Sequence, residues 1–287
     1  QTLGPGIEWL KPCGFAHPHF MKRSTEGPRA VTTQSTSAQL RMPAPQKGQT
    51  PYLDSKVSYW HFPGRLLQTN EGRDAYAADG DSSVGFHFCS TCGMVVPKAM
   101  PDDSTNPWNA YQRPYPAEGQ SRCEHTYTRN IVLGNEYLTD VALFRFELDA
   151  SITMSLIDTH ALNHDVYSAT EIVLTTLTEA LIKAGVSVLD LEPRDIAGGF
   201  RRALTEGDDE DLQAFEIYLF DQAAGGAGFV REILHNPDVL FETMIEILSN
   251  CSCTSSCYQC LRSYSNSRSH HLLERNLTLE FVRYALQ

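Results

Sequence analysis

From about residue 140 onwards the sequence predicts an α/β or α+β fold, a mixed sheet with flanking helices. Three observations carry this. "DVALFRFEL" (140–148) alternates apolar and polar positions and "LQAFEIYLFD" (212–221) is rich in aromatics and Ile, so both read as strands. "VYSATEIVLTTLTEALIKAG" (166–185) has apolar residues at helical spacing and a Gly where a helix would stop. Strand and helix patterns then alternate to the end of the chain.

Taken in order, "VSVLDLE" (186–192) is expected to be a further strand, from its β-branched content. "AAGGAGFVREILHNPDVLFETMIEILSN" (223–250) reads as a glycine turn followed by two helices divided at Pro237. "LLERNLTLEFVRYAL" (272–286) closes the chain as an amphipathic helix. Upstream, residues 1–80 are rich in Ser, Thr, Pro, Gln and Gly and read as loop or irregular strand. These patterns divide the chain into an irregular or β segment over 1–135 and an α/β domain over 136–287.

The balance is acidic, with 23 Lys and Arg against 35 Asp and Glu and a net charge of −12. Such a chain has no general attraction to phosphate backbones, so contact with nucleic acid requires a local patch or a basic partner. No uninterrupted run of about 18 apolar residues occurs, so no membrane span is expected. The N-terminus, "QTLGPGIEWLKPCGF", lacks the basic and apolar regions of a signal peptide, and a cytoplasmic protein is expected. It also lacks an initiator Met, as a fragment or processed chain would.

The eight cysteines are clustered. Cys251, Cys253, Cys257 and Cys260 lie in "NCSCTSSCYQC", and Cys89 and Cys92 form a C-x2-C knuckle followed by Gly93. Without a secretory leader, tight cysteine knuckles favour metal over disulfides. Zinc prefers four ligands in a tetrahedron, and four thiolates close the shell, which makes a structural site rather than a hydrolytic one. An iron–sulfur cluster also takes four cysteines, but its usual spacings differ from this one. A second zinc site is expected, ribbon-like, from Cys89, Cys92 and Cys123 with His125 as fourth ligand. His87 and Cys13 compete with His125 for that place.

Two further features point to anions. In "YLFDQAAGGAGFVREI" a strand ends, Gly225, Gly226 and Gly228 follow, and a helix begins. Backbone N–H groups at such a turn can receive a phosphate, although a tight turn needs small residues for packing alone. Arg262, Arg268, His270, His271, Arg275 and Arg283 interleave with Tyr258 and Tyr264, which fits phosphate contact and base stacking or, equally, a solvated helix face. The chain has no G-x4-G-K-[ST] loop, no G-x-G-x-x-G, no H-E-x-x-H and no G-x-S-x-G. Nothing in it binds ATP phosphates by a standard motif. A loose group of Asp140, Asp158, His160, His164 and Asp165 is the only hint of a metal hydrolase.

The tail, "DQAAGGAGFVREI", then "CSCTSSCYQCLRSYSN", then "HHLLER", resembles the MrfA-type zinc-binding (MZB) domain. That domain lies at the C-terminus of certain superfamily-two DNA helicases and in the DISARM anti-phage protein DrmB. "GFHFCSTCGMVV" and "LGNEYLTDVALFRF" resemble the segment that precedes it, so the likeness runs over roughly residues 82–287. It implies that Cys251, Cys253, Cys257 and Cys260 hold zinc and that the glycine turn is the family's. No counterpart of the helicase motor is present. The resemblance therefore implies a non-catalytic module of a DNA helicase or helicase partner in phage defence or DNA repair, with DNA as partner and the motor in cis or in trans. A protein scaffold that docks a motor subunit without touching nucleic acid is the competing expectation.

Overall fold

The computed structural model describes residues 9–11, 33–35, 38–40, 48–74, 85–97, 126, 128–149, 169–203 and 212–287. Ten strands are described: β1 Trp9–Leu10, β2 Thr33–Ser35, β3 Gln39–Leu40, β4 Thr50–Pro51, β5 Val57–Asp74, β6 Phe86–Phe88, β7 Val95–Pro97, β8 Thr128–Asp149, β9 Ile196–Arg202 and β10 Leu212–Asp221. The α-helices are α1 Ala169–Leu189, α2 Phe229–Ile233, α3 Pro237–Ser249 and α4 Arg275–Ala285, with a 3-10 helix at Ser267–Leu272. The sheet is mixed: β1 runs parallel to β8, whereas β10 is antiparallel to both β8 and β9. The expected fold class, a mixed sheet with flanking helices, is what the chain adopts.

Two compact units divide the chain, one formed by residues 1–38 and 67–136 and the other by 39–66 and 137–287. The boundary expected at 135/136 falls inside β8, and residues 39–66 join the later unit. In the first unit β6 and β7 form a hairpin, with Phe86 opposite Pro97 and Phe88 opposite Val95. Cys89 and Cys92 occupy its turn, which Cys89 closes by donating its N–H to the Met94 carbonyl at 2.9 Å and accepting from Gly93 at 2.8 Å. Gly93 takes φ +73° there, a conformation open to glycine at no steric cost.

The second unit carries the core. Ala142, Phe144, Phe146 and Leu148 of β8 and Phe215, Ile217 and Leu219 of β10 alternate onto one sheet face. Leu174, Leu177, Leu181 and Ala184 of α1 and Leu240, Phe241, Met244 and Leu248 of α3 cover it. Val141 and Leu143 are fully buried as well, so the centre of β8 is apolar on both sides and reads as a near-continuous hydrophobic run. Burial of this kind stabilises by roughly 25 cal/mol per Å² of apolar surface. α1 is long and apolar enough, by length and composition, to cross a membrane. Its apolar stripe instead lies in the core just described.

Three elements differ from expectation. "VSVLDLE" is not a strand: α1 runs on to Leu189. Gly185 does not stop the helix because it serves close packing, where a Cβ would meet Ile233 Cδ1 at 2.7 Å. β5 lies within the stretch read as irregular, and β9 is built on "IAGGFRR", where paired glycines hide the strand pattern. Gly199 faces the Tyr218 ring across the β9–β10 ladder, and a Cβ there would meet Tyr218 Oη at 2.5 Å.

Candidate metal centre

The metal centre is built by the chain between α3 and the 3-10 helix. α3 ends at Ser249, and the next residues turn back on themselves with no long element of their own. Cys251 Sγ lies 3.5 Å from Cys257 Sγ, Cys253 Sγ 3.6 Å from Cys260 Sγ, and Cys257 Sγ 3.7 Å from Cys260 Sγ. All four sulfurs fall within 4.8 Å of one another. A disulfide needs about 2.05 Å between sulfurs, so these are thiols and not bridges. A tetrahedron with Zn–S bonds of about 2.3 Å has edges of about 3.8 Å. The cage therefore has the size and the donor set of a four-cysteine zinc site. Among the described residues no other group of three or more His, Cys, Asp or Glu is placed to hold a metal ion.

Backbone hydrogen bonds shape the knuckle. Cys257 donates its N–H to Cys260 Sγ at 3.1 Å, and the Cys257 carbonyl receives the N–H groups of Cys260, Leu261 and Arg262 at 3.2, 3.1 and 2.9 Å. Backbone N–H groups of Gln259 and Cys260 pull the Cys257 thiol down to about 6. Burial, followed by the neighbouring thiols, pushes Cys253 up to about 12.

Four thiolates around a divalent ion leave a net charge of about −2. Two cations from distant segments sit against the ligand residues. Lys183 of α1 donates to the Cys260 carbonyl and, at 3.4 Å, to that of Arg262. Burial pulls the Lys183 amine below its usual range, and the Cys260 and Glu179 charges act against this. Arg275, at the start of α4 and 9% exposed, donates from Nε and Nη2 to the Cys253 carbonyl at 3.0 and 2.7 Å. Its Nη1 reaches the Leu248 carbonyl at 3.0 Å, in the last turn of α3, where the helix dipole favours a cation. Neither Lys183 nor Arg275 stands out in the sequence as a partner of the cage. Arg275→Ala is expected to lower stability by about 3 kcal/mol, since it strips the buried Leu248 carbonyl and that of half-buried Cys253 of charged donors. A urea midpoint shared with the wild type would contradict this.

The "LRSYSN" segment has a structural role. Asn266 is buried and donates to the Leu261 carbonyl at 3.0 Å and to Glu179 Oε2 at 2.7 Å, which ties the loop to α1. His270 Nε2 lies 3.0 Å from the Ser263 carbonyl and from Asn266 Oδ1. Arg262 is half-buried and donates to Ser256 Oγ at 3.0 Å, whereas Arg268 is exposed.

The glycine turn is held by acceptors within the chain. Gly225, Gly226 and Gly228 all take positive φ, as the turn requires. Their N–H groups, expected to face a phosphate, already have partners in the chain: Gly225 donates to the Leu138 carbonyl at 2.8 Å and Gly226 to that of Ala223 at 3.0 Å. Gly228 donates to Asp221 Oδ2 at 2.6 Å, as do Ala227 at 2.7 Å and Phe229 at 3.2 Å, while Val230 donates to Oδ1 at 3.0 Å. Asp221 is fully buried at the end of β10. The anion at this helix start is the chain's own carboxylate. The signal lay in the sequence as an acid ending the strand, four residues before the first glycine.

Cys89 is buried and Cys92 half-buried in the β6–β7 turn. Cys123 and His125 lie outside the described residues, as do Cys13, Asp158, His160, His164 and Asp165.

The model of the MZB, MrfA Zn-binding domain family matches residues 177–261, a span that contains the whole cage. Druantia protein DruE of Escherichia coli (strain UMEA 4076-1) is 32% identical over 228 residues, which is 77% of this chain and 12% of that protein. The crystal structure of the DUF1998 helicase MrfA bound to DNA aligns with a TM-score of 0.43 at 10% identity, over 88% of this chain and 25% of that one. A further crystal structure of the DUF1998 helicase MrfA aligns with a TM-score of 0.34 at 9% identity, over 84% of this chain and 24% of that one. The chain thus spans about an eighth of DruE and a quarter of MrfA. The resemblance of the tail is borne out where the cage lies: residues 177–261 of this chain are similar to the MrfA Zn-binding domain and contain the four-cysteine cluster.

Proposed function

We propose that this chain is a non-catalytic zinc-binding module of an ATP-dependent DNA helicase or of a helicase partner, acting in phage defence, of the DISARM or a related kind, or in DNA repair. One observation carries the reading: a closed cage of four thiols inside the segment that matches the MZB model. Four thiolates leave no open position for substrate, so the ion holds the fold and does no chemistry. Similarity to DruE supports the defence context. The module assists nucleic-acid binding, with the motor in cis or in trans, in the cytoplasm. Arg262 and Arg268 remain the proposed phosphate contacts. A second zinc at Cys89, Cys92, Cys123 and His125 belongs to the same proposal, as does a division of labour between residues 1–135 and 136–287.

The test is titration of the zinc-loaded chain against labelled single-stranded and duplex DNA at several salt concentrations. Binding that weakens steeply with salt is the expected result. Absence of binding at low salt would favour the scaffold reading, in which the chain docks a basic motor subunit. The net charge of −12 and the internal use of the glycine N–H groups favour that second reading. Elemental analysis of the purified chain is expected to find two zinc ions, and a single ion would remove the Cys89 site.

A further inference from the structure

Several groups around the cage take no part in holding it. From Asn250 to Leu273 the chain has no Asp or Glu, although its acids outnumber Lys and Arg by 35 to 23 overall. This acid-free stretch carries Arg262, Arg268, His270 and His271. It also presents two aromatic rings to water: Tyr258 is 68% exposed and Tyr264 is 92% exposed. Rings so open contribute little to the core, and among the described residues they are the large aromatics most exposed to water.

Their backbone is braced by hydrogen bonds. Tyr258 lies inside the knuckle, between the ligands Cys257 and Cys260. Tyr264 lies in the turn that Asn266 ties to Leu261 and to Glu179 of α1. His270 links the two places: its ring meets that of Tyr258 edge-on at 5.5 Å, and its Nε2 lies 3.0 Å from the carbonyl of Ser263, the residue before Tyr264. Arg268, exposed in the 3-10 helix, is in the same braced segment. Aromatic side chains with two rotatable bonds on a fixed backbone lose little entropy when something stacks on them.

We propose that Tyr258, Tyr264 and Arg268 form a stacking surface for single-stranded nucleic acid on the outer side of the zinc knuckle. The proposal rests on the nucleic-acid reading above and assigns it a strand state and a surface. An unpaired strand exposes base faces to the rings, which a duplex keeps stacked inside. Two arginines are also too few to bind a duplex through phosphates alone against the charge of the whole chain. Stacking on the tyrosines supplies the attraction that charge does not, and Arg268 anchors the strand by a phosphate.

The test uses the zinc-loaded chain, a labelled oligo-thymidine and a duplex of equal length, read by fluorescence anisotropy. Tyr258→Ala and Tyr264→Ala are each expected to weaken single-strand binding roughly fivefold or more and to change duplex binding little. Tyr258→Phe keeps the ring and should keep the affinity. Arg268→Gln should lower the slope of log affinity against log salt by about 0.7. Irradiation of the wild type with an oligonucleotide carrying 5-iodouracil should place the adduct on the peptide that holds Tyr258 or Tyr264, a readout that needs no variant. Single-strand affinity unchanged in both alanine variants, or an adduct elsewhere, would overturn the surface while leaving nucleic-acid binding intact. A wild type that binds neither probe would overturn both.

Discussion

Cys257→Ser is expected to release the zinc and abolish cooperative unfolding of residues 137–287. Cys257 is the hub of the cage: its sulfur lies within 3.7 Å of those of Cys251 and Cys260, and its carbonyl receives three N–H groups of the knuckle. A serine hydroxyl does not ionise at neutral pH, so the shell would lose a thiolate. Structural zinc contributes about 10–16 kcal/mol in small zinc-finger peptides, as much as the whole net stability of a typical domain, about 5–15 kcal/mol. The damage would spread, because Cys260 and Leu261 belong to the same core as α1, α3 and α4. The expected readings are one zinc fewer per chain by elemental mass spectrometry and a thermal melt without a sharp transition. A strong chelator should reproduce both in the wild type. Full metal content with an unchanged melt would show that the cage is not the structural site described.

Asp221→Ala should be the most damaging change remote from the metal. One carboxylate with no exposed surface accepts four backbone N–H groups, from Ala227 to Val230. Burying a charge is costly unless it is paired or hydrogen-bonded, and these four donors at the start of α2 are what makes the charge tolerable. Alanine removes the acceptor and leaves four donors without it, of which Val230 N–H is buried, for a loss on the order of 3 kcal/mol. Asp221→Asn keeps one carbonyl oxygen but turns an amide N–H2 towards other donors, so it should recover less than half of that. Denaturant midpoints of the two variants and the wild type give the comparison. An alanine variant within about 1 kcal/mol of wild type would mean that solvent reaches the turn and replaces the carboxylate.

These two sites show how differently parts of the chain announce themselves. The cage was legible because its ligands are near neighbours in sequence and thiolates have few other reasons to cluster. The strands at 140–148 and 212–221 were legible because their alternation survives in the sheet, with Phe144 and Phe146 opposite Ile217 and Phe215. The partners of the cage were not, since Lys183 and Arg275 are brought to it by helices that enter from opposite sides of it in sequence. Nor was the length of α1: Gly185 looks like a stop until Ile233 is seen against it. β5 was hidden by polar composition, and β9 by glycines chosen for the bulk of Tyr218 rather than for the strand. The partner of the glycine turn was not legible either: Asp221, four residues before Gly225, accepts the N–H groups of residues 227–230.

The compactness of the cysteine cluster also bears on the order of events when the complete chain folds. The four ligands lie between Cys251 and Cys260, so capturing the ion closes only very short loops, and loops of about ten residues close within ~10–100 ns. The β8–β10 ladder, by contrast, must bring Asp149 to Leu212 across a long intervening stretch, and such pairings are intrinsically slow. The knuckle can load while the sheet is still unpaired, and Lys183 and Arg275 then lock on to a finished object. Zinc supply would thus act at maturation, deciding how many chains reach the assembled state, rather than adjusting how well an assembled one works.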